Sequence, residues 1–374
     1  MPTGERLNPT LVALLTAAAI IVVVAGLRAA QSLLVPLMIS AFLAIICTPV
    51  VSLLTTRRVP LTLAVLIVVI LVMVILFSLG AVIGGSISEL TVELPKYQLR
   101  WDQMTGTFNA WVEELAASRG LDINSLELAQ SIDSGSLLRT FIRGLTSIAA
   151  IASSSLLVFF TLIFMLFEAS QMPLKLQALM KRSGPQISSY SQVSRQIQRY
   201  LALKTLISFF TGVLVTIWLT ILGVDFALVW GLLAFLLNFI PNIGSIIAAI
   251  PAVLLSVVQL GIGPAVFVII GYFVVNVLMG NVIEPRLMGQ TLGLSTLVVF
   301  LSLIFWGWVW GTAGMLLSIP LTMVVKIMLE SNPQTRDLAI LLSDEKSVRT
   351  ALILQEEERS RVSQNRGEGS LPSA

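Results

Sequence analysis

The chain has no histidine, one cysteine and four tyrosines among 374 residues, and only 11% of its residues are charged. Without histidine there is no Ser-His nucleophile, no H-E-x-x-H zinc site and no imidazole proton relay. The single cysteine, Cys47, lies in an apolar run. It leaves no disulfide framework, and its plainest role is that of a small buried packing residue. No G-x-x-x-x-G-K-[ST] sequence occurs, so the chain has no phosphate-binding loop to power it with ATP. No metal or cofactor motif is present, and neither is expected. The shortage of charge excludes an ordinary soluble domain, since such domains use about 25% charged residues. A net charge of +3 is too small to argue for nucleic acid.

What the chain has is hydrocarbon. Hydrophobic residues make up 56% of it and its mean hydropathy is +0.94. A membrane-crossing helix needs about 20 apolar residues. Uncharged apolar windows of that order occur at 11–27, 31–54, 61–84, 145–167, 205–222 and 264–283. Two further stretches, Phe226–Leu260 and Leu294–Glu330, exceed one straight crossing, and each is expected to break at an Ile-Pro pair, Ile250-Pro251 and Ile319-Pro320. They read as broken or re-entrant helices, which expose backbone groups that must face protein or a water-filled cavity. The fold expected is an all-α integral membrane protein, a polytopic helical bundle with about eight membrane segments, two of them broken or re-entrant. The first run, Leu11–Leu27, is longer than a usual signal-peptide core and is followed at once by another, so it reads as a retained span.

The charges set the orientation. The Arg57-Arg58 loop and the basic helical loop 169–204, with Lys175, Lys181, Arg182, Arg195, Arg199, Lys204 and no acid, are expected in the cytoplasm. Residues 85–144 are acidic on balance and carry apolar residues at helical spacing, as in Trp101–Leu115. They are expected to form an amphipathic helical insertion outside. Both termini then fall in the cytoplasm, with a transport domain over residues 1–342 and a polar, partly disordered tail over 343–374. Six crossings with two hairpins, or eight crossings with bent helices, satisfy this. The hairpin reading is favoured because it puts Glu284-Pro285-Arg286 on the positive face. The segments 244–258 and 314–327 resemble each other around Ile-Pro, as internal repeats of transporters do.

Polar residues gather in the second half. Asn238, Pro241, Asn242 and Gly244 interrupt the first long stretch; Asn276, Asn281, Glu284, Pro285, Arg286 and Gly289 end the following span. Asn276, Asn281 and Glu284 are five and three residues apart, close enough on a helix to face one cavity. Ionisable residues at membrane depth are candidates for function. The expected solute or ion pathway therefore comprises Asn238, Asn242, Asn276, Asn281, Glu284 and Arg286. The expected hinges are Pro241, Gly244, Pro251, Pro285, Gly289 and Pro320. Each has a plainer alternative: amides bond helix to helix, and Glu284 with Arg286 pairs at the interface. Phe305, Trp306, Trp308 and Trp310 read first as an interfacial belt, Lys204 as an interfacial snorkel, and Lys326 with Glu330 as an exposed pair.

The runs NVIEPRLMG at 281–289, IPNIGSIIAAIPA at 240–252 and GLSTLVVFLSLIFWGWVWGTAGMLLSIPL at 293–321, with the following KIMLE, resemble the autoinducer-2 exporter family of bacterial membrane proteins. The resemblance implies an inner-membrane, homo-oligomeric protein, pentameric by expectation, that exports the small polyhydroxylated signal autoinducer-2. Some relatives in that family are described as sodium/proton antiporters, which keeps antiport or another small solute open. Amides suit a neutral hydroxylated ligand, because they supply donors and acceptors. Antiport requires a carboxylate, for which Glu284 is the first candidate and Asp225 the second. An intramembrane enzyme would have to work with those two acids alone between residues 205 and 320, so no catalytic residues are expected. A scaffold role for the exterior insertion, binding cell-envelope partners, is a further reading and predicts that only the insertion matters.

Overall fold

The computed structural model describes residues 9–119, 155–183, 187–241, 243–288, 293–331, 335–345 and 348–349. The helices in chain order are α1 Pro9–Ala29, α2 Gln31–Thr56, α3 Leu61–Arg119, α4 Ser155–Ser183, α5 Ile187–Ile221, α6 Ala227–Leu237, α7 Ile243–Leu260 and α8 Ile262–Asn276. A π-helical segment, Val277–Ile283, leads from α8 into α9 Glu284–Met288, followed by α10 Thr296–Ser331 and α11 Arg336–Leu341. Among the described residues the one β feature is an isolated bridge between Leu294 and Ser343. Among the described residues six helices are long and apolar enough to cross a membrane, and α6 and the apolar parts of α1 and α4 are shorter. The protein is an all-α, multi-pass membrane protein.

The chain forms two compact units. The first comprises Pro36–Leu179 and Leu201–Leu287. Its core joins α2, α3 and α4 through Ala44, Cys47, Val65, Val68 and Leu162, all nearly inaccessible. Ser40 on α2 donates to the Val158 carbonyl of α4 at 3.0 Å, bringing a polar group into that core with its partner. Cys47 is the packing residue expected. α3 does not end at Gly84-Gly85, where the acidic insertion was expected to begin; it runs on as one helix of 59 residues to Arg119. Residues 120–144 of that insertion lie outside the described chain.

The first long stretch is a helical hairpin. α6 has 11 residues, about 16 Å at 1.5 Å per residue and well short of a 30 Å hydrocarbon layer. It stops at Asn238, since Pro241 cannot donate to the helical ladder and disfavours helical geometry at Ile240. α7 returns from Ile243. The return is tight at Gly244, where a Cβ would collide with the Leu237 carbonyl. Gly261 (φ 93°) then turns the chain into α8. Pro251 does not break this stretch: it is buried inside the 18-residue α7. The break expected there falls at residues 238–241.

The other unit is drawn from Met1–Val35, Met180–Tyr200 and Met288–Ala374. Its α10 is a second hairpin. The backbone leaves helical geometry at Trp310 (φ −127°, ψ 17°) and Gly311 (φ 63°, ψ −145°), a conformation open to glycine and costly to any other residue. Residues sixteen apart consequently meet: Trp306 Nε1 donates to Thr322 Oγ1 at 3.1 Å. Gly314 lies so close to the Trp306 carbonyl that a Cβ has no room. Pro320 sits inside the second arm, and the expected break at this proline is displaced to Trp310-Gly311. The tryptophans do not form the simple belt expected of them. Trp306 and Trp310 are buried, Trp310 Nε1 bonds to the Leu27 carbonyl at 3.0 Å, and Trp308 lies under the Arg28 guanidinium, 4.7 Å from ring centroid to Cζ. The arms close at their open end, where buried Lys326 donates to the Gly293 carbonyl at 2.6 Å, with Glu330 3.6 Å away.

Candidate functional site

A cavity of about 670 Å³ opens in the first unit between α7 and α8, bounded by the tip of the first hairpin and by α5. It has the size of a small-molecule site. Its polar end is built from three elements. From α5 comes Lys204, 4% exposed. From the hairpin tip comes Asn238, whose Nδ2 donates to Ser208 Oγ at 2.9 Å, one helical turn along from Lys204. From α8 and the π segment come Asn276 and Asn281, followed by Glu284 at the start of α9.

Lys204 Nζ donates to both oxygens of Glu284, at 2.8 and 2.9 Å. The pair spans 80 residues of sequence, which is why Lys204 read alone looked like an interfacial snorkel. Lys204 instead meets its countercharge inside the protein. A charge at membrane depth is tolerated only when paired or hydrated, and here each supplies the other's requirement. The π segment places Glu284. Its N–H bonds back to the Met279 carbonyl, five residues earlier, and this wider turn accommodates Pro285, whose ring would otherwise crowd the carbonyl four residues before it.

Asn238, Asn276, Asn281 and Glu284 thus share one cavity, whereas Arg286 is exposed and lies outside its wall. Asn242 and Gly289 lie outside the described residues. Pro241 borders the cavity and Gly244 packs the tip, while Pro285 is exposed within α9. Two contributors escaped the sequence reading. One is Lys204. The other is Tyr272 in the cavity wall, 4% exposed, whose buried hydroxyl has no hydrogen-bond partner among the described residues. Such an orphan costs about 1–3 kcal/mol. The available signal was its spacing of four residues from Asn276 on one helical face.

The hairpin's open end is tied by a separate polar cluster. Gln259 Oε1 accepts from the Asp225 N–H at 2.9 Å and its Nε2 donates to the Gly223 carbonyl at 3.0 Å, so one side chain bridges the ends of both arms. From α3, Tyr97 donates to Asp225 Oδ2 and Arg100 Nη1 to the Gln259 carbonyl, both at 2.7 Å. Burial, reinforced by the hydrogen bond to Asp225, pushes the Tyr97 phenol above its ordinary range. Asp225, the second candidate carboxylate, is thereby engaged in holding the hairpin. No group of three or more metal-ligating side chains occurs among the described residues.

Residues 13–334 match the pattern of the AI-2E family transporters. The chain belongs to this family. A similar AI-2E relative is the AI-2 transport protein TqsA of Escherichia coli strain K12, 41% identical over 325 residues, which are 87% of this chain and 93% of TqsA. A protein of Haemophilus influenzae, provisionally named a transport protein, is 39% identical over 335 residues, 88% of this chain and 96% of its own length. YhhT of Escherichia coli strain K12, also provisionally named a transport protein, is 37% identical over 329 residues, 88% and 93% of the two chains. The chain is therefore a membrane transporter of the AI-2E family.

Proposed function

We propose that this transporter exports autoinducer-2 across the bacterial inner membrane by secondary or passive transport, with the α7–α8 cavity as its solute site and both termini in the cytoplasm. The observation that carries the substrate is the 41% identity with TqsA along 93% of that protein. The cavity chemistry supports it. Asn276 and Asn281 present donors and acceptors, which neutral hydroxyls require, and the Lys204–Glu284 pair offers polarity without net charge.

The test measures autoinducer-2 flux per molecule in proteoliposomes. Asn276→Ala and Asn281→Ala should each lower flux severalfold at unchanged protein abundance. Wild-type flux in both would sink the site. A second reading, exchange of a cation or proton for another, is favoured by one observation: a site for hydroxyls alone has no need of the Glu284 carboxylate. Under that reading Glu284→Gln abolishes the gradient dependence of flux, since the amide keeps the shape but does not ionise. Undiminished gradient-driven flux in this variant removes the second reading.

A further inference from the structure

The cavity is not uniform along its length. α7 and α8 run antiparallel from the turn at Gly261, so their wall residues fall into levels. Nearest the turn are Leu254 and Ile269, then Ile250 with Phe273. Ile246 and Asn276 come next, and beyond them lie Ser245, Asn281 and the Lys204–Glu284 pair. Ile269 to Glu284 is fifteen residues, roughly 22 Å at helical rise. A compact hydroxylated solute occupies only the polar third of such a cavity and leaves the part lined by Ile250, Ile269 and Phe273 unfilled.

The apolar part is also open at its side. Ile250 is 51% and Phe273 67% exposed, which in a membrane gives an alkyl chain lateral access without contact with water. At the polar end the Lys204 ammonium is spent on both Glu284 oxygens. A charged head would have to divide that pair, whereas an uncharged head bonds to Asn276 and Asn281 and leaves it intact.

We infer that the cavity accepts a single-chain amphiphile with an uncharged, hydroxyl-rich head, its head against Asn276 and Asn281 and its tail along the α7–α8 groove. This rests on the cavity being the transporter's ligand site, and it extends the ligand class to molecules longer and more apolar than autoinducer-2.

The experiment uses the full chain in detergent-free lipid nanodiscs and an alkyl glucoside bearing a diazirine at its tail end, with cross-linked peptides mapped by mass spectrometry. Label should concentrate on residues 250–254 and 269–273. Unlabelled alkyl glucoside should reduce it at least tenfold, while an alkyl sulfate of equal chain length should not. Asn276→Leu, which removes a head contact, and Ala249→Trp, which fills the groove, should each weaken the competed labelling about tenfold. Label spread evenly over every exposed apolar helix and not competed would mean bulk lipid only and overturn the inference. So would efficient cross-linking of Phe273→Cys between copies of the chain without labelling, since a second copy would then cover the groove. Autoinducer-2 flux is measured on the same preparations. Flux that depends on Asn276 without competed labelling sinks the amphiphile alone; competed labelling with flux indifferent to Asn276 sinks the solute assignment alone.

Discussion

At the scale of residues, the Lys204–Glu284 pair gives the sharpest expectation. Removing one partner of a buried pair strands the other and costs about 3–5 kcal/mol, while replacing both by apolar groups is often neutral. Glu284 keeps 23% exposure, which places the cost at the low end of that range. Lys204→Met should therefore lower the yield and thermal midpoint of the purified protein. Lys204→Met combined with Glu284→Met should restore both while flux stays low. A double variant as unstable as the single one would show that the two charges are not coupled. Sequence spacing revealed Asn276, Asn281 and Glu284 because they share one helix. It missed Lys204 because nothing local links residue 204 to residue 284.

At the scale of helices and hairpins, Pro251 and Pro320 stay inside helices while Gly244 and Gly314 permit the close approaches. At Gly244 and Gly314 a Cβ meets backbone carbonyls, which cannot move aside as a flexible side chain would. Gly244→Ala and Gly314→Ala should each cost about 1–3 kcal/mol or more, read as lost monodisperse protein in size-exclusion chromatography. Pro251 and Pro320 lie inside helices, where each removes one ladder hydrogen bond. Alanine at both should leave insertion and thermal midpoint at or above wild type while impairing transport. Unchanged flux would remove their hinge role. The tie at the first hairpin's open end is tested with Tyr97→Phe, expected to cost about 1 kcal/mol. Because the folded phenol is raised, its contribution is complete below the ordinary tyrosine value of about 10 and is lost only as pH rises through the folded value. The stability gap between wild type and Tyr97→Phe should accordingly be flat from pH 6 to pH 9, and a gap that closes within that window would show a different linkage.

For the whole molecule, the expected sidedness follows from the loop charges and not from helix packing. With Cys47→Ala as background, a cysteine replacing Ser118 should react with a membrane-impermeant reagent on intact cells, and one replacing Arg57 only after lysis. The reverse pattern would invert the topology and its assignment of export. Both chosen positions are exposed, so lack of labelling would report sidedness rather than burial.

Composition and hydropathy by themselves determined that this is an all-helical, multi-pass membrane protein with two interrupted stretches, because the transfer of side chains into hydrocarbon is a sum over local sequence. The motifs in its second half also sufficed to indicate the family. Where those stretches break was decided by tertiary structure. A proline inside a helix is accommodated when the surrounding helix keeps its other bonds, so Pro251 and Pro320 remain helical, whereas the turns form where Gly244 and Gly314 allow two backbones to touch. The roles of Lys204, Gln259 and Trp306 likewise depend on partners between 16 and 80 residues away in sequence. Such pairings arise from the packing of helices against one another, and no periodicity along a single segment encodes them.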